Sequence, residues 1–332
     1  MAFSEAYRRQ VDLLLRVIPF ITKETCFALK GGTAINLFVR DLPRLSVDID
    51  LTYIPVFPRP KSLGAIDKAM KRIAARIAKG NKATRTSSSI HEGAVTKLVV
   101  REHDVQIIIE VTPVLRGCAY EPEMRSVTAS VEEQFGFAEM RVLAFADLYA
   151  GKIVAALDRQ HPRDLFDVRV LLSAEGITDE IRSAFIVYLL SHTRPMWEVL
   201  TARPKDIKRE FEQNFSGMTT EPVDLQDLLD ARSALVRSMV SDMPDRHRRF
   251  LVSFEKGEPD WELLDLAKVD KLPAVKWRTR NLDSITQNRR AELVAQLERV
   301  LGMDVTPKQL TLMPEKSAPT KKPRRNRTRS GA

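Results

Sequence analysis

The sequence has few cysteines and few histidines, and these shortages exclude two kinds of site. Its 332 residues include two cysteines, Cys26 and Cys118, and five histidines, without a C-x-x-C motif. Neither a disulfide framework nor a zinc site is therefore expected. Both cysteines lie among apolar neighbours, which is typical of buried free thiols in a reducing compartment, so we expect a cytoplasmic protein.

Long apolar runs are also lacking. The sequence contains no stretch of about 18 uninterrupted apolar residues, which excludes a membrane-spanning helix. The first residues, MAFSEAYRRQVDLLLRV, include acids and lack a small-residue cleavage site. They predict an amphipathic helix rather than a signal peptide.

The excess of basic residues is concentrated at one end of the chain. There are 53 lysines and arginines against 44 acids, which gives a net charge of +9. Residues 316–332 hold seven of the basic residues and none of the acids, which leaves 46 against 44 elsewhere. We predict a disordered basic tail here. Such a tail either holds phosphate backbones non-specifically or only aids solubility.

Residues 29–52 contain the main candidate site, which begins with a glycine pair. Gly31 and Gly32 lie between a predicted short strand and a predicted apolar helix. Glycine lets the backbone approach a ligand closely, and the free N–H groups at a helix start suit phosphate. A plain turn is the alternative interpretation of the pair.

Two acids follow the glycine pair in a predicted strand. Asp48 and Asp50 are two residues apart and should project from the same face, where they repel each other unless a divalent metal lies between them. The alternative is an acidic solvent face. Arg44 and Ser46 share their strand parity, which favours contacts with phosphate or, for Ser46, with an aspartate. An Arg44–Asp41 pair and an ordinary strand-edge serine are the alternatives.

A third acid, Glu110, interrupts the nearly continuous apolar strand predicted over 104–111. A lone carboxylate in a buried strand is costly unless it is paired or bound to metal. If this strand is the antiparallel neighbour of the strand over 47–52, Glu110 lies within reach of Asp48 and Asp50. Three converging acids are typical of two-metal phosphoryl chemistry.

A second cluster lies on two predicted helices. Lys152 belongs to a helix rich in alanine, leucine and isoleucine, and Pro162 starts the next helix, where Asp164 and Asp167 fall in the first turns. A lysine that reaches out to solvent, and acids that only favour the helix dipole, are the alternatives.

The pattern of elements divides the chain near residue 143. Before that point, helices and strands are mixed, and a basic amphipathic helix over 62–79 presents either a nucleic-acid surface or a solvated face. After it, helices are predicted throughout. The predicted helices cover 4–18, 33–40, 62–79, 145–158, 162–174, 178–192, 224–241, 244–256, 260–270 and 289–301; the predicted strands cover 26–29, 47–52, 84–89, 95–101 and 104–111.

Four segments together resemble a known family: LKGGTAINLF, RLSVDIDL, DLYAGKIVAAL and PRDLFDVRVLL. They are similar to nucleotidyltransferase toxins of the AbiEii/AbiGii type, relatives of the MenT toxins in the DNA polymerase β-like superfamily. The resemblance implies an α+β fold with a mixed sheet and flanking helices. It assigns a catalytic domain to 1–143 and a helical domain, which completes the active site and carries the acceptor, to 144–315, followed by the tail.

The resemblance also implies roles for individual residues. Asp48, Asp50, Lys152 and Asp164 would form the catalytic set. The NTP would contact Gly31, Gly32, Thr33, Arg44, Ser46 and Lys152, while Mg²⁺ or Mn²⁺ would be held by Asp48, Asp50 and Glu110. The gap from Gly32 to Asp48 is longer than in the shortest superfamily pattern, and a second glycine, Gly32, stands where that pattern usually has serine after the first glycine.

The implied activity is transfer of NMP to an RNA acceptor, the tRNA 3′ end, by the toxin of a type IV system. An antitoxin encoded beside it need not form a stable complex with it. A small-molecule acceptor is an alternative, which predicts an enclosed acidic pocket rather than an open basic groove. A binding module without turnover is another, and it predicts the loss of Asp48 or Asp50.

Overall fold

Seven strands form one mixed sheet, which carries the candidate site. The computed structural model describes residues 4–80 and 82–303. The strands are β1 (Phe27–Lys30), β2 (Asp48–Tyr53), β3 (Thr84–His91), β4 (Ala94–Glu102), β5 (Val105–Arg116), β6 (Glu123–Ser126) and β7 (Glu139–Val142). Their order in the sheet is β3-β4-β5-β2-β1-β7-β6, so β2 lies at the centre.

Strand β2 has one antiparallel and one parallel neighbour. It runs antiparallel to β1 and parallel to β5, and Asp50 lies opposite both Lys30 and Glu110. The prediction that β5 is an antiparallel neighbour is therefore wrong, although the predicted closeness of Asp50 and Glu110 is correct. A parallel pair needs a crossover connection. The helix and the β3–β4 hairpin between the two strands supply it.

Helices cover the sheet and then form the rest of the described chain. They are α1 (Glu5–Ile21), α2 (Gly31–Thr33) with a π-helical continuation (Ala34–Val39), α3 (Arg59–Gly80), α4 (Ala129–Phe135), α5 (Phe145–Asp158), α6 (Pro162–Ala174), α7 (Asp179–Leu190), α8 (Met196–Thr201), α9 (Lys208–Asn214), α10 (Leu225–Val236) with a π-helical continuation (Arg237–Ser241), α11 (Asp245–Lys256), α12 (Pro273–Ser284) and α13 (Gln287–Val300).

Most predicted helices are confirmed, and α5 and α6 have the predicted bounds. The helix predicted over 260–270 is wrong, because this segment forms only two 3₁₀ turns, Trp261–Leu263 and Val269–Lys271. Helices α4, α8, α9 and α12 were not predicted. Three of these are two turns long or shorter, which is too short for an apolar period to be visible.

Helices α1 and α3 pack beside each other and against the β4–β5 part of the sheet. The predicted inward stripe of α3 is confirmed, because Ile66, Met70, Ile73 and Ile77 are fully buried. Residues three or four apart share one face of a helix, so this stripe closes one side of the sheet core. The described residues include no helix long and apolar enough to cross a membrane.

The two halves of the chain share one core. The same apolar cluster includes Ile49 of the sheet and Phe185 of α7. The backbone also joins the halves, since the Leu45 amide donates to Met218 at 3.0 Å and the Thr220 amide to Pro43 at 3.1 Å. The boundary near residue 143 stays a prediction. The predicted tail, and residues 304–315 of the predicted helical domain, lie outside the described residues.

Candidate active site

The acidic pair lies on one face of β2. Ile49 and Leu51 are fully buried on the opposite face, and this anchors the strand. Asp48 is exposed and Asp50 is half-buried. Burial raises the pKa of Asp50, Lys30 opposes this shift, and Asp48 adds to it. A carboxylate in this position gains from any cation that binds beside it.

The glycine pair is pressed against the acidic strand. A Cβ on Gly31 would lie 2.5 Å from Oδ2 of Asp50, and Gly31 has a φ of +76°. A Cβ on Gly32 would lie 2.6 Å from Oγ of Ser46 and 2.8 Å from Nη2 of Arg44. Glycine is therefore required at both positions for more than an ordinary turn, because any side chain there would displace the residues around it.

Thr33 and Ser46 fix the start of β2. Thr33 is fully buried, and its Oγ1 donates to the Asp48 carbonyl at 2.6 Å and lies 3.1 Å from Oγ of Ser46. The serine thus belongs to the brace that holds the aspartate strand. The strand itself begins at Asp48, so the parity assumed for Arg44 and Ser46 does not apply.

Arg44 joins the two halves of the molecule. Its guanidinium is buried and binds Asp167 in bidentate fashion, with Nε to Oδ1 at 2.7 Å and Nη2 to Oδ2 at 2.6 Å. The alternative pair with Asp41 is wrong, because Asp41 accepts a hydrogen bond from Ser130 instead. Such a planar two-bond contact fixes orientation as well as charge.

Lys152 and Asp164 meet inside the helical half. Nζ of Lys152 lies 2.9 Å from Oδ1 of Asp164 and 3.0 Å from Oδ2 of Asp167. The alternative of a solvent-reaching lysine is wrong, because this ammonium points inward. Burial alone would raise the pKa of Asp164, but Lys152 and Arg159 hold it well below the ordinary range.

The two clusters face each other. Three cations, Arg44, Lys152 and Arg159, surround the two carboxylates of Asp164 and Asp167. Lys152 and Arg159 are close enough to Asp50 to interact with its charge. An excess of positive charge therefore lies beside the acidic pair, which suits a polyphosphate bound between the two clusters.

The acidic pair fits a divalent metal. Two carboxylates on one face, with Asp48 open to solvent, are hard oxygen donors of the kind that Mg²⁺ binds together with substrate phosphates. The Glu110 carboxylate is half-exposed and 3.5 Å from Nζ of Lys97, and its role as a third metal ligand stays a prediction. Within residues 4–80 and 82–303 no cluster of three or more acid, histidine or cysteine ligands is formed.

Sequence reasoning missed two basic residues of the site. Lys30 lies between Asp50 and Glu110 in the strand register, and its ammonium donates to Oγ1 of Thr112 at 3.3 Å. Burial lowers its pKa, which both acids oppose. Arg159 is the other residue that was missed. The signal for Lys30 was its place directly before the glycine pair, and the signal for Arg159 was its place five residues before Asp164.

The comparisons with known proteins agree with this geometry. The family of nucleotidyl transferase AbiEii toxins of type IV toxin–antitoxin systems matches residues 12–277. MenT4, a nucleotidyltransferase toxin from Mycobacterium tuberculosis, shares the fold at a TM-score of 0.53 and 16% identity, over 90% of this chain and 95% of that one. No curated protein sequence matches the chain.

A second solved structure is more distant. Terminal uridylyl transferase 4 from Trypanosoma brucei, with bound dUTP, aligns with 89% of this chain and 93% of its own at 10% identity, with a TM-score of only 0.28. That score carries no argument about the site. The family match covers most of the chain on both sides of residue 143. The chain therefore belongs to the AbiEii family of nucleotidyltransferase toxins.

Proposed function

We propose that this nucleotidyltransferase uses Mg²⁺ or Mn²⁺ to transfer NMP from an NTP to the 3′ end of tRNA in the cytoplasm. Modification of that end would block aminoacylation and stop growth. A cognate antitoxin encoded alongside would oppose it, with or without a stable complex. The observation that carries the proposal is the pair Asp48 and Asp50 on one face of β2, opposite the basic network around Lys152.

Each element of the site has a defined task in this reaction. The acceptor hydroxyl attacks the α-phosphorus, the bond to the bridging oxygen breaks, and pyrophosphate leaves. Metal ions held by Asp48 and Asp50 would supply charge neutralisation and lower the pKa of the hydroxyl. Lys152 would bind the triphosphate and offset the charge that develops on pyrophosphate.

The network behind Lys152 keeps it in place. Asp164 and Asp167 both accept from its ammonium, and Arg44 holds Asp167 in turn. Because these groups are already ordered, little reorganisation is needed when the phosphates arrive. In the glycine turn, Gly31 lies against Asp50 and Gly32 lies against Arg44, and its N–H groups would cradle the phosphates.

The two alternative functions are less well supported. A small-molecule acceptor predicts an enclosed acidic pocket, whereas a cavity with basic side chains lies between the end of β5 and α12. A binding module without turnover predicts an incomplete acid pair, whereas Asp48 and Asp50 project together from β2.

Incubation of the protein with total RNA, Mg²⁺ and each NTP labelled at the α-phosphate tests the proposal. The expected result is a labelled band at tRNA size with at least one NTP, absent in Asp48→Asn and present in the control Glu212→Gln. Glu212 is an exposed acid on α9, 60% accessible, that forms only a long pair with Lys208. Label on no RNA with any NTP would overturn the RNA acceptor.

A further inference from the structure

We infer that a groove between the segment after β2 and helix α12 binds the unpaired 3′ end of the acceptor RNA. The groove has a volume of about 730 Å³ and is called the acceptor groove below. The side chains that matter are Phe57, Arg59, Arg116, Lys276, Trp277 and Arg280. The inference rests on the proposed function only in that the acceptor is a polynucleotide.

The charge of the acceptor groove suits a phosphate backbone. Five lysines and arginines line it, and none of its lining residues in the described chain is an acid. On α12, Lys276, Trp277 and Arg280 are exposed; the first two lie four and three residues before Arg280 and so share its face of the helix. Helix α12 begins at Pro273, in the same lining, and no side chain of the described residues caps it, so its free N–H groups add to the positive potential.

Two exposed aromatic rings lie among these cations, and Nζ of Lys61 covers one face of Phe57 at 4.0 Å from the ring centroid. Trp277 is 51% exposed and Phe57 is 40% exposed, which is unusual for large apolar side chains that serve only packing. Aromatic faces between basic residues are the arrangement on which bases of single strands stack without sequence preference. A double helix would not present its bases to such rings.

Arg116 gives an independent sign of a bound anion. It is only 6% exposed, and its Nε has no hydrogen-bond partner among the described residues. Burial lowers the pKa of its guanidinium and Arg59 lowers it further, while Tyr53 is the one group that opposes this shift. Nη1 of Arg116 donates to the Pro113 carbonyl, and Arg59 is paired with Glu92. The Nε of the buried guanidinium is therefore the donor that a phosphate at the inner end of the groove would satisfy.

The acceptor groove leads to the active site. Arg116 and Ala274 also line a smaller cavity that reaches Lys30 and Thr52. Along β5, Arg116 lies six residues beyond Glu110, which is paired with Asp50. The register shifts between these points, because Arg116 pairs with Tyr53, three residues beyond Asp50 on β2. Three strand residues span roughly 10 Å, a distance that a few unpaired nucleotides cover.

Fluorescence anisotropy of a short labelled single-stranded RNA with the full-length protein, without NTP, tests the inference. We expect Trp277→Ala to weaken binding roughly tenfold. Arg280→Gln should lower the slope of log affinity against log salt by about 0.7. Phe137→Ala, which removes a 62% exposed ring outside the groove, should bind like the parent.

Several outcomes would overturn the inference. Unchanged affinity in both groove variants, or a parent that binds no RNA, would do so even if transfer proceeds, and the proposed function would then stand alone. An acidic peptide that binds in place of RNA, and is lost in Arg280→Gln, would assign the groove to a protein partner. Groove-dependent RNA binding without any nucleotide transfer would retain the groove and refute the proposed function.

Discussion

Nζ of Lys152 lies 2.9 Å from Oδ1 of Asp164, and only 9% of the lysine side chain and 1% of the aspartate are exposed. The pair therefore links function to stability. Removal of one partner leaves a buried charge without compensation, which typically costs about 3–5 kcal/mol. Lys152→Met should abolish nucleotide transfer and also lower the free energy of unfolding by about 3 kcal/mol.

Urea unfolding beside the transfer assay would check this prediction. The matched control is Lys208→Met, because Lys208 is 68% exposed and its pair with Glu212 is 3.9 Å long. That control should change stability by less than about 0.5 kcal/mol. Full activity in Lys152→Met would remove this lysine from the catalytic set.

The glycine turn gives a second prediction. Gly31→Ala places a Cβ 2.5 Å from Oδ2 of Asp50, so Asp50 must move and transfer should fall at least tenfold. Gly93→Ala is a close control: Gly93 has the same φ of +76°, but no atom of the described residues lies within 4 Å of its Cβ position. Both variants carry the same backbone strain of about 1 kcal/mol. Only Gly31→Ala should lose activity; equal loss in both would contradict the steric account.

The Arg44–Asp167 pair predicts that the two halves unfold together. Asp167→Asn breaks a bidentate contact between residues 123 positions apart, and should destabilise the protein by about 3 kcal/mol. Glu212→Gln should shift the urea midpoint little. The parent and Asp167→Asn should each unfold in a single transition, observed by circular dichroism and by tryptophan fluorescence. Two separate transitions in the parent would contradict the shared core.

His247 predicts a loss of stability in acid. The side chain is fully buried, neither ring nitrogen has a hydrogen-bond partner among the described residues, and burial lowers its pKa from 6.5 to about 4. The His247 imidazole therefore becomes protonated below pH 6.5 in the unfolded chain, but only below about pH 4 in the folded chain. Stability should fall as the pH drops through this window.

His247→Leu isolates that contribution. Other groups also titrate there: burial raises the pKa of Asp147 to about 6, which works in the opposite direction. The difference between parent and variant cancels these groups. The difference between the urea midpoints of the parent and of His247→Leu should change with pH between about 4 and 6.5. Above pH 6.5 it should stay constant, at a value set by the change in packing. A pH-independent difference would show that His247 does not titrate abnormally.

Local periodicity carried the sequence predictions that succeeded. Alternation along Val47–Leu51 was enough to place Asp48 and Asp50 on one face, since side chains alternate along any strand. The bounds of α5 and α6 followed from apolar spacing and from Pro162 at a helix start. Each of these features is decided by residues close together in the chain.

Features decided by distant residues could not be predicted. The partner of Arg44 is 123 residues away, and the direction of β5 depends on the crossover through α3, which no period in β5 records. Lys30 can be assigned to the site only when it is known that β1 pairs with β2 and places Lys30 opposite Asp50. The basic face of α12 is likewise visible only once the helix lies beside Phe57.

The most direct test of the central claim is transfer of labelled NMP to purified tRNA whose 3′ hydroxyls are intact or have been destroyed by periodate oxidation. We expect label on intact tRNA with the parent and with Glu212→Gln. We expect none on oxidised tRNA, and none with Asp48→Asn, whose unfolding midpoint should match the parent's. Equal labelling by Asp48→Asn and the parent, or label on oxidised tRNA, would contradict it.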